Sequence, residues 1–313
     1  MSTPTQSTQI SALSIQEAEA IRNRIALGRR LRTGNRVASA VLWIIGMLVA
    51  LLFIGIIVYL LINGLPAMTA ATFFGSTDAG IGRELYNTFY ILILSEVFLF
   101  PISLAAAIYL IECAPQGRFV TAIHFAAETL AGVPSLILGM FGFLFFVVTL
   151  HMGVSRLAGA LTLLCLNFPL ALRLFEDALA AVPRELREGG LALGGSKWHV
   201  IRTVVLPSAL PGLITGLILT AGKVVGEAAA LIFTMGLTSP FNPYTLDPAL
   251  ASDTLTTRLY YLRAEGLGSS GLPASKETAF AAGIAATLII LLLLINVSAR
   301  TIGRVIQRRI TAA

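Results

Sequence analysis

Ionisable side chains are scarce in this chain, and those that fall inside apolar stretches are the first candidates for chemistry, because a charge there is costly to keep. Lys223 and Glu227 lie four residues apart in one such stretch, so a continuous helix would place them on one face. The pair has two readings. It can be a structural pair whose charges cancel, or Lys223 can face an aqueous path and draw in an anion, with Glu227 preventing the anion from being held too tightly. Arg173 stands at the edge of a second stretch, either as a further cation for such a path or as a topology anchor. Glu96 lies in the middle of a third, either protonated or paired with a partner chain. Glu128 lies near the edge of a fourth, where interface packing weighs slightly more than function.

Other chemistries lack their residues. There is no G-x-x-x-x-G-K-[ST] phosphate-binding loop, so ATP hydrolysis is not expected of this chain. Gly266, Gly268 and Gly271 form a G-x-G-x-x-G, but in a Gly/Ser-rich segment with no strand before it, which argues against a nucleotide site. His124, His151 and His199 are scattered and complete no nucleophile–base set; His199 reads as a surface or interface residue. Cys113 and Cys165 have no Cys or His at metal-ligand spacing, so neither a disulfide nor a metal site is expected, and no cofactor is implied.

One polar segment has a definite local design. Pro183 suits the first turn of a helix, and residues 184–193 alternate charge with Leu and Ala at helical spacing. Gly194 can take the left-handed conformation that ends a helix, and Ser196 can cap the next one. The segment therefore reads as helix, glycine turn, helix. Leu186, Leu191, Leu193, Trp198 and Val200 form an apolar ridge that a partner could cover.

The elements that must carry these residues follow from composition. Hydrophobic residues make up 56% of the 313 residues and charged residues 12%, against about 25% charged in an ordinary soluble domain. Such a chain cannot cover a water-facing surface, and lipid is its expected solvent. The net charge of +6 does not indicate nucleic acid, because the basic residues lie between apolar runs and read as topology signals. A spanning helix needs about 20 mainly apolar residues. Six candidates occur, at 38–62, 86–110, 120–149, 155–173, 208–236 and 278–299, giving an all-α polytopic membrane protein. The third contains Gly132-Val133-Pro134 and is expected to break there. The apolar run after residue 36 is too long for a signal-peptide core and is read as a retained helix. With the N-terminus in the cytoplasm, 16 of the 22 Lys and Arg residues fall inside and five outside, which favours both termini inside. The expected organisation is a basic tail at 1–36, a first membrane helix at 37–66, a membrane domain at 80–305 with an inner loop at 176–206 and an outer loop at 237–276, and a C-terminal tail at 306–313.

The segment from Glu188 to Pro207 resembles the cytoplasmic loop of binding-protein-dependent importer permeases, whose pattern is Glu-Ala-Ala, three residues, Gly, nine residues, then Ile-x-Leu-Pro. Glu188, Gly194, Val204, Leu206 and Pro207 keep the spacing, while Gly189-Gly190 stands for Ala-Ala and Val204 for Ile. Further tracts resemble phosphate permeases: Ala105–Glu112, Leu130–Gly142, Arg173 with Glu176 and Val182-Pro183, and Gly226-Glu227-Ala228-Ala229-Ala230-Leu231. Leu255–Leu262, with Tyr260, is similar to the PstA-type subunit rather than its PstC-type partner. The resemblance runs from about 85 to 305. It implies a six-helix type I importer permease in a bacterial inner membrane, not an enzyme, whose loop residues Glu188, Gly194, Ser196, Leu206 and Pro207 serve docking on an ATPase. It also implies a basic residue, usually Arg, at the position of Lys223. The implied partners are a second permease of PstC type, a pair of PstB-type ATPase subunits, an external phosphate-binding protein and the bilayer. Two other functions stay open here: a permease of the same superfamily for sulfate or molybdate, and a membrane enzyme or anchored interaction protein.

Overall fold

A computed structural model describes residues 6–69, 73–75, 80–115, 117–237, 244–264 and 274–311, and among these the chain is all-α. Helix α1 runs over Gln6–Met68, so the basic stretch and the first apolar stretch share one helix. The chain divides into two compact units, one ending at Tyr59 and the other beginning at Leu60. Everything that follows concerns the second.

Helix α2 spans Gly82–Ile108 and ends in a π-helical turn, Tyr109–Cys113. Helices α3 (Arg118–Ala131) and α4 (Ser135–Gly142, prolonged by π turns over Phe143–Thr149) are two arms of one broken span, bent by 101°. The break falls at Gly132-Val133-Pro134 as expected. Pro134 lacks an N–H to continue α3 and disfavours helical geometry at Val133, while its carbonyl accepts the first hydrogen bonds of α4, from Ile137 and Leu138. Helix α5 covers Arg156–Ala180, with the Ser155 hydroxyl accepting from the Ala158 N–H. It runs well past residue 173, where the apolar stretch was expected to end, because Phe175 and Leu179 keep its buried stripe going beyond Arg173.

Helix α6 is Arg184–Ala192. Helix α7 (Lys197–Val200) passes through a π segment, Ile201–Val205, into α8 (Leu206–Gly226) without a break. The fifth span therefore starts about ten residues earlier than the apolar pattern indicates, since Val200, Ile201 and Val205 are buried against the bundle. It also stops earlier: Glu227 is extended (φ −80°, ψ 127°), and a short α9, Ala229–Thr234, follows. Helices α10 (Leu255–Ala264) and α11 (Ala274–Thr311) complete the unit. Among the described residues five helices are long and apolar enough to cross a membrane, and six if the bent α3–α4 pair counts as one.

Close helix approaches hold the bundle, as expected where lipid removes the hydrophobic drive between helices and small residues let backbones touch. Gly212 and Gly216 on α8 lie against α5: a β-carbon on Gly212 would come within 2.7 Å of the Ala178 β-carbon, and one on Gly216 within 2.9 Å of the Phe175 ring. Gly139 on α4 sits over Ala230 on α9, where a β-carbon would fall 2.7 Å from the Ala230 Cα. The two interrupted spans thus cross at small residues.

Candidate functional site

Three helices contribute to one cavity. On α3, His124, Ala127, Glu128 and Ala131 follow i, i+3, i+4, i+7 spacing and form one ridge. On α5, Pro169, Leu172, Arg173 and Glu176 form a second ridge by the same spacing, and α8 adds Lys223. These enclose a cavity of about 530 Å³. Arg173 and Lys223, 50 residues apart in sequence, thus line the same cavity. Glu176 is buried, and its Oε1 lies 3.1 Å from His124 Nε2, joining the two ridges. Among the described residues Arg173 has one ion pair, a long, exposed contact of 3.6 Å with Asp177 one helical turn on; pairs of that kind are worth little in water, so its guanidinium stays available. Lys223 and Glu128 are both exposed into this space and make no ion pair among the described residues. The cavity thus presents the cations of Arg173 and Lys223 together with the carboxylates of Glu128 and Glu176, of which Glu176 faces His124.

Glu227 does not join them. The spacing placed Lys223 and Glu227 on one helix face, but α8 ends at Gly226, so the helical relation is lost. Glu227 instead caps the restart: its Oε1 accepts from the Ala230 N–H at 3.3 Å, and its carbonyl accepts from the Thr256 hydroxyl at 2.9 Å, tying α10 to the break. This gives a graded expectation. Glu227→Gln keeps an oxygen for the cap and should leave transport near the parent. Glu227→Ala removes it, should destabilise by about 1 kcal/mol, and should lower transport through misplacement of α9. Equal loss in both variants, measured at matched abundance, would instead mark the carboxylate charge itself as functional.

The polar loop forms the reading expected of it. Gly194 is left-handed at φ +83° and its N–H returns to the Leu191 carbonyl; Ser196 Oγ accepts from the His199 N–H at 3.3 Å. Leu186, Leu191, Leu193 and Trp198 are exposed, Leu193 at 92%, and form an uncovered apolar ridge. Val200 does not belong to that ridge. It is buried, packed under Gly190 and Gly195, whose β-carbons would meet its methyls at 3.0 and 3.2 Å. That contact explains Gly190, whereas Gly189 has open space around it. Leu206 and Pro207 open α8 inside a continuous helix. Glu188 lines a groove of about 370 Å³ with Ile111, Glu112, Ala180, Arg184 and Arg187.

Arg187 was legible in the sequence only as one basic residue among several, yet it fastens the loop to the bundle. Its Nε lies 2.9 Å from Glu112 Oε1 at the end of α2, its Nη2 donates to the Leu179 carbonyl at 2.7 Å, and its Nη1 donates to the Val182 carbonyl. Arg187 thus ties α6 to the end of α2 and to α5. Gly194→Val leaves room for the side chain but demands a left-handed β-branched residue, at about 1–3 kcal/mol of strain. The variant should insert in the membrane at normal abundance, with its Leu193–Trp198 ridge displaced and transport uncoupled from ATP hydrolysis. Gly189→Ala, in open space within α6, should behave as the parent. Parental uptake by the Gly194→Val protein would rule out the docking that the resemblance implies for this turn.

A second site, at the opposite end of α5, was missed. Arg156 is fully buried. Its Nη2 donates to Asn87 Oδ1 at 2.7 Å, its Nε to Ser252 Oγ at 2.9 Å, and its Nη1 to the carbonyls of Thr245 and Asp247 at 2.6 and 3.3 Å. The guanidinium lies over the Tyr90 ring, 4.6 Å from its centroid. Tyr86 and Tyr90 donate to the Thr245 and Leu246 carbonyls, so the segment before α10 is pinned to α2 and α5. The signal that could have revealed it is Tyr86, Asn87 and Tyr90 at one-turn spacing near the start of a span. The G-x-G-x-x-G at Gly266, Gly268 and Gly271 lies outside the described residues.

Comparison with known proteins agrees with this architecture. Residues 100–312 match the family model "Binding-protein-dependent transport system inner membrane component". The probable ABC transporter permease protein YqgI of Bacillus subtilis (strain 168) is 34% identical over 293 residues, covering 89% of this chain and 98% of that protein. The phosphate transport system permease protein PstA 1 of Mycobacterium tuberculosis (strain CDC 1551 / Oshkosh) is 34% identical over 230 residues, covering 74% and 72%. Among solved structures, a chain of the inward-facing MetNI methionine ABC transporter superposes with a TM-score of 0.57 at 24% identity, over 72% of this chain and 95% of that one, which is a likeness of fold.

Proposed function

The chain belongs to the family of binding-protein-dependent transport system inner membrane components, and from that premise we propose that it is the PstA-type permease subunit of an ATP-driven phosphate importer. It is a multi-pass membrane component of a transporter rather than an enzyme, and transport by this family involves an ATPase and a substrate-binding protein. The observation that carries the substrate reading is the meeting of Arg173 and Lys223 at one cavity, in a chain whose similarity to phosphate permeases covers about three quarters of its length. An oxyanion leaving water needs compensating positive charge, since an unpaired charge in a low-dielectric zone costs several kcal/mol.

In this reading six helices supply half of a translocation path, and a PstC-type permease supplies the other half. The ridge Leu186–Trp198 docks on a PstB-type ATPase, and Arg187 relays its movement to α2 and α5. The 16-to-5 distribution of basic residues supports cytoplasmic termini and, with them, a cytoplasmic α6. Deleting the gene for this chain should abolish high-affinity phosphate uptake and leave sulfate uptake intact, and a tagged chain should co-purify with an ATPase and a second permease. Loss of sulfate or molybdate uptake instead would reassign the cargo; purification without any ATPase would remove the importer role.

A further inference from the structure

The anion cavity contains a group that an anion path does not need for attraction. Glu128 lines it together with Arg173 and Lys223 and is exposed, with no ion pair among the described residues. The other cavity carboxylate, Glu176, is buried and committed to His124 at 3.1 Å. Glu128 is thus the carboxylate of this wall that remains to meet a passing ligand. A carboxylate is an acceptor only. It repels a ligand that offers oxygen lone pairs alone, but it accepts a hydrogen bond from one that carries an acidic O–H. At neutral pH phosphate and arsenate keep at least one proton, whereas sulfate and molybdate carry none.

We propose that Glu128 makes this cavity selective for protonated oxyanions. Arg173 and Lys223 hold the charged oxygens, and Glu128 accepts the remaining O–H. The inference rests on the phosphate-path reading above and deepens it. Sulfate would fit the same cations but would set its lone pairs against the Glu128 carboxylate, a mismatch that costs more than a missing contact because both groups are left without a donor. Gln at this position keeps the size, removes the charge, and supplies an N–H that sulfate can use.

The test uses the assembled permease–ATPase complex in nanodiscs, without the external binding protein, so that discrimination by that protein does not enter. Binding of radiolabelled phosphate is measured with sulfate or arsenate as competitor, for the parent, Glu128→Gln, Glu128→Ala and Lys223→Ala. The parent should favour phosphate over sulfate by about ten-fold or more, with arsenate competing well. Glu128→Gln should bring sulfate to within about three-fold of phosphate, and Glu128→Ala should narrow the gap in the same direction. Lys223→Ala should weaken both anions alike. An unchanged phosphate-to-sulfate ratio in Glu128→Gln, with binding lost in Lys223→Ala, overturns the selectivity inference and leaves the path standing. Failure of the Glu128 variants to assemble with the second permease also overturns it, by assigning Glu128 to the subunit interface. Parental phosphate binding by Lys223→Ala overturns the path reading beneath it.

Discussion

Arg156→Met should cost the protein several kcal/mol, because it removes charge-assisted hydrogen bonds worth about 1.5–3 kcal/mol each. Methionine fills much of the volume and removes the desolvated charge, so lost packing is not the main effect. What remains is a set of acceptors that lose the guanidinium: the buried Asn87 Oδ1 and Ser252 Oγ, and the part-buried Thr245 and Asp247 carbonyls. Orphaned buried groups cost about 1–3 kcal/mol apiece. The segment 244–254 should then be held less firmly, through contacts such as the Tyr86 and Tyr90 hydroxyls and the main-chain bonds from Arg156 and Leu157 to the Leu250 and Pro248 carbonyls. Thermal unfolding of the purified protein should shift markedly downward, with proteolysis beginning around Leu246. Arg156→Lys keeps a charge but lacks the planar fork that serves four acceptors at once, so it should fall between parent and Met. A parental melting temperature in Arg156→Met would show that the network is dispensable.

Lys223→Ala and Arg173→Ala should each reduce phosphate uptake by at least about ten-fold while the complex still assembles. Both side chains are exposed into the cavity and neither supports the core, so folding gives no reason for the loss. A ten-fold loss corresponds to about 1.4 kcal/mol of charge stabilisation, a modest share of what an anion forfeits on leaving water. Lys223→Arg retains the charge and adds a bidentate fork suited to phosphate oxygens, so uptake should persist. Together the two alanine changes should approach complete loss, because they remove both Lys/Arg cations that line the cavity and leave the Glu128 and Glu176 carboxylates.

Much of this architecture can be read from residue order, and the parts that cannot share a cause. The break in the third span follows from Pro134, the glycine turn from Gly194 and its cap from Ser196, since each is a local backbone property. Helix ends set by packing are less legible. Residues 174–180 look polar at Glu176 and Asp177, yet Phe175 and Leu179 continue the buried face of α5. Glu227 is the sharper case: four-residue spacing to Lys223 implies a shared face only if the helix continues, and nothing in Val224-Val225-Gly226 forces it to stop. The stop is fixed by partners far off in the chain, with Thr256 holding the Glu227 carbonyl. The cavity was half legible. Arg173 and Lys223 stand out as charges in apolar surroundings, whereas His124 joins only because α3 packs its ridge on α5. Arg156 reads in sequence as a topology signal because three of its four acceptors, two of them main-chain carbonyls, come from a segment about 90 residues away and the fourth, Asn87, from α2.

The central claim is that phosphate passes a cavity held by Arg173 and Lys223 in a permease driven by a separate ATPase. ATP-dependent uptake of radiolabelled phosphate into proteoliposomes containing the complete complex tests it most directly, with the parent, Lys223→Ala and Lys223→Arg compared at equal incorporation. The account predicts robust uptake by the parent and by Lys223→Arg, and a loss of at least about ten-fold in Lys223→Ala with subunit composition unchanged. Equal uptake by all three proteins would contradict it, leaving Lys223 as a packing residue and the anion path elsewhere.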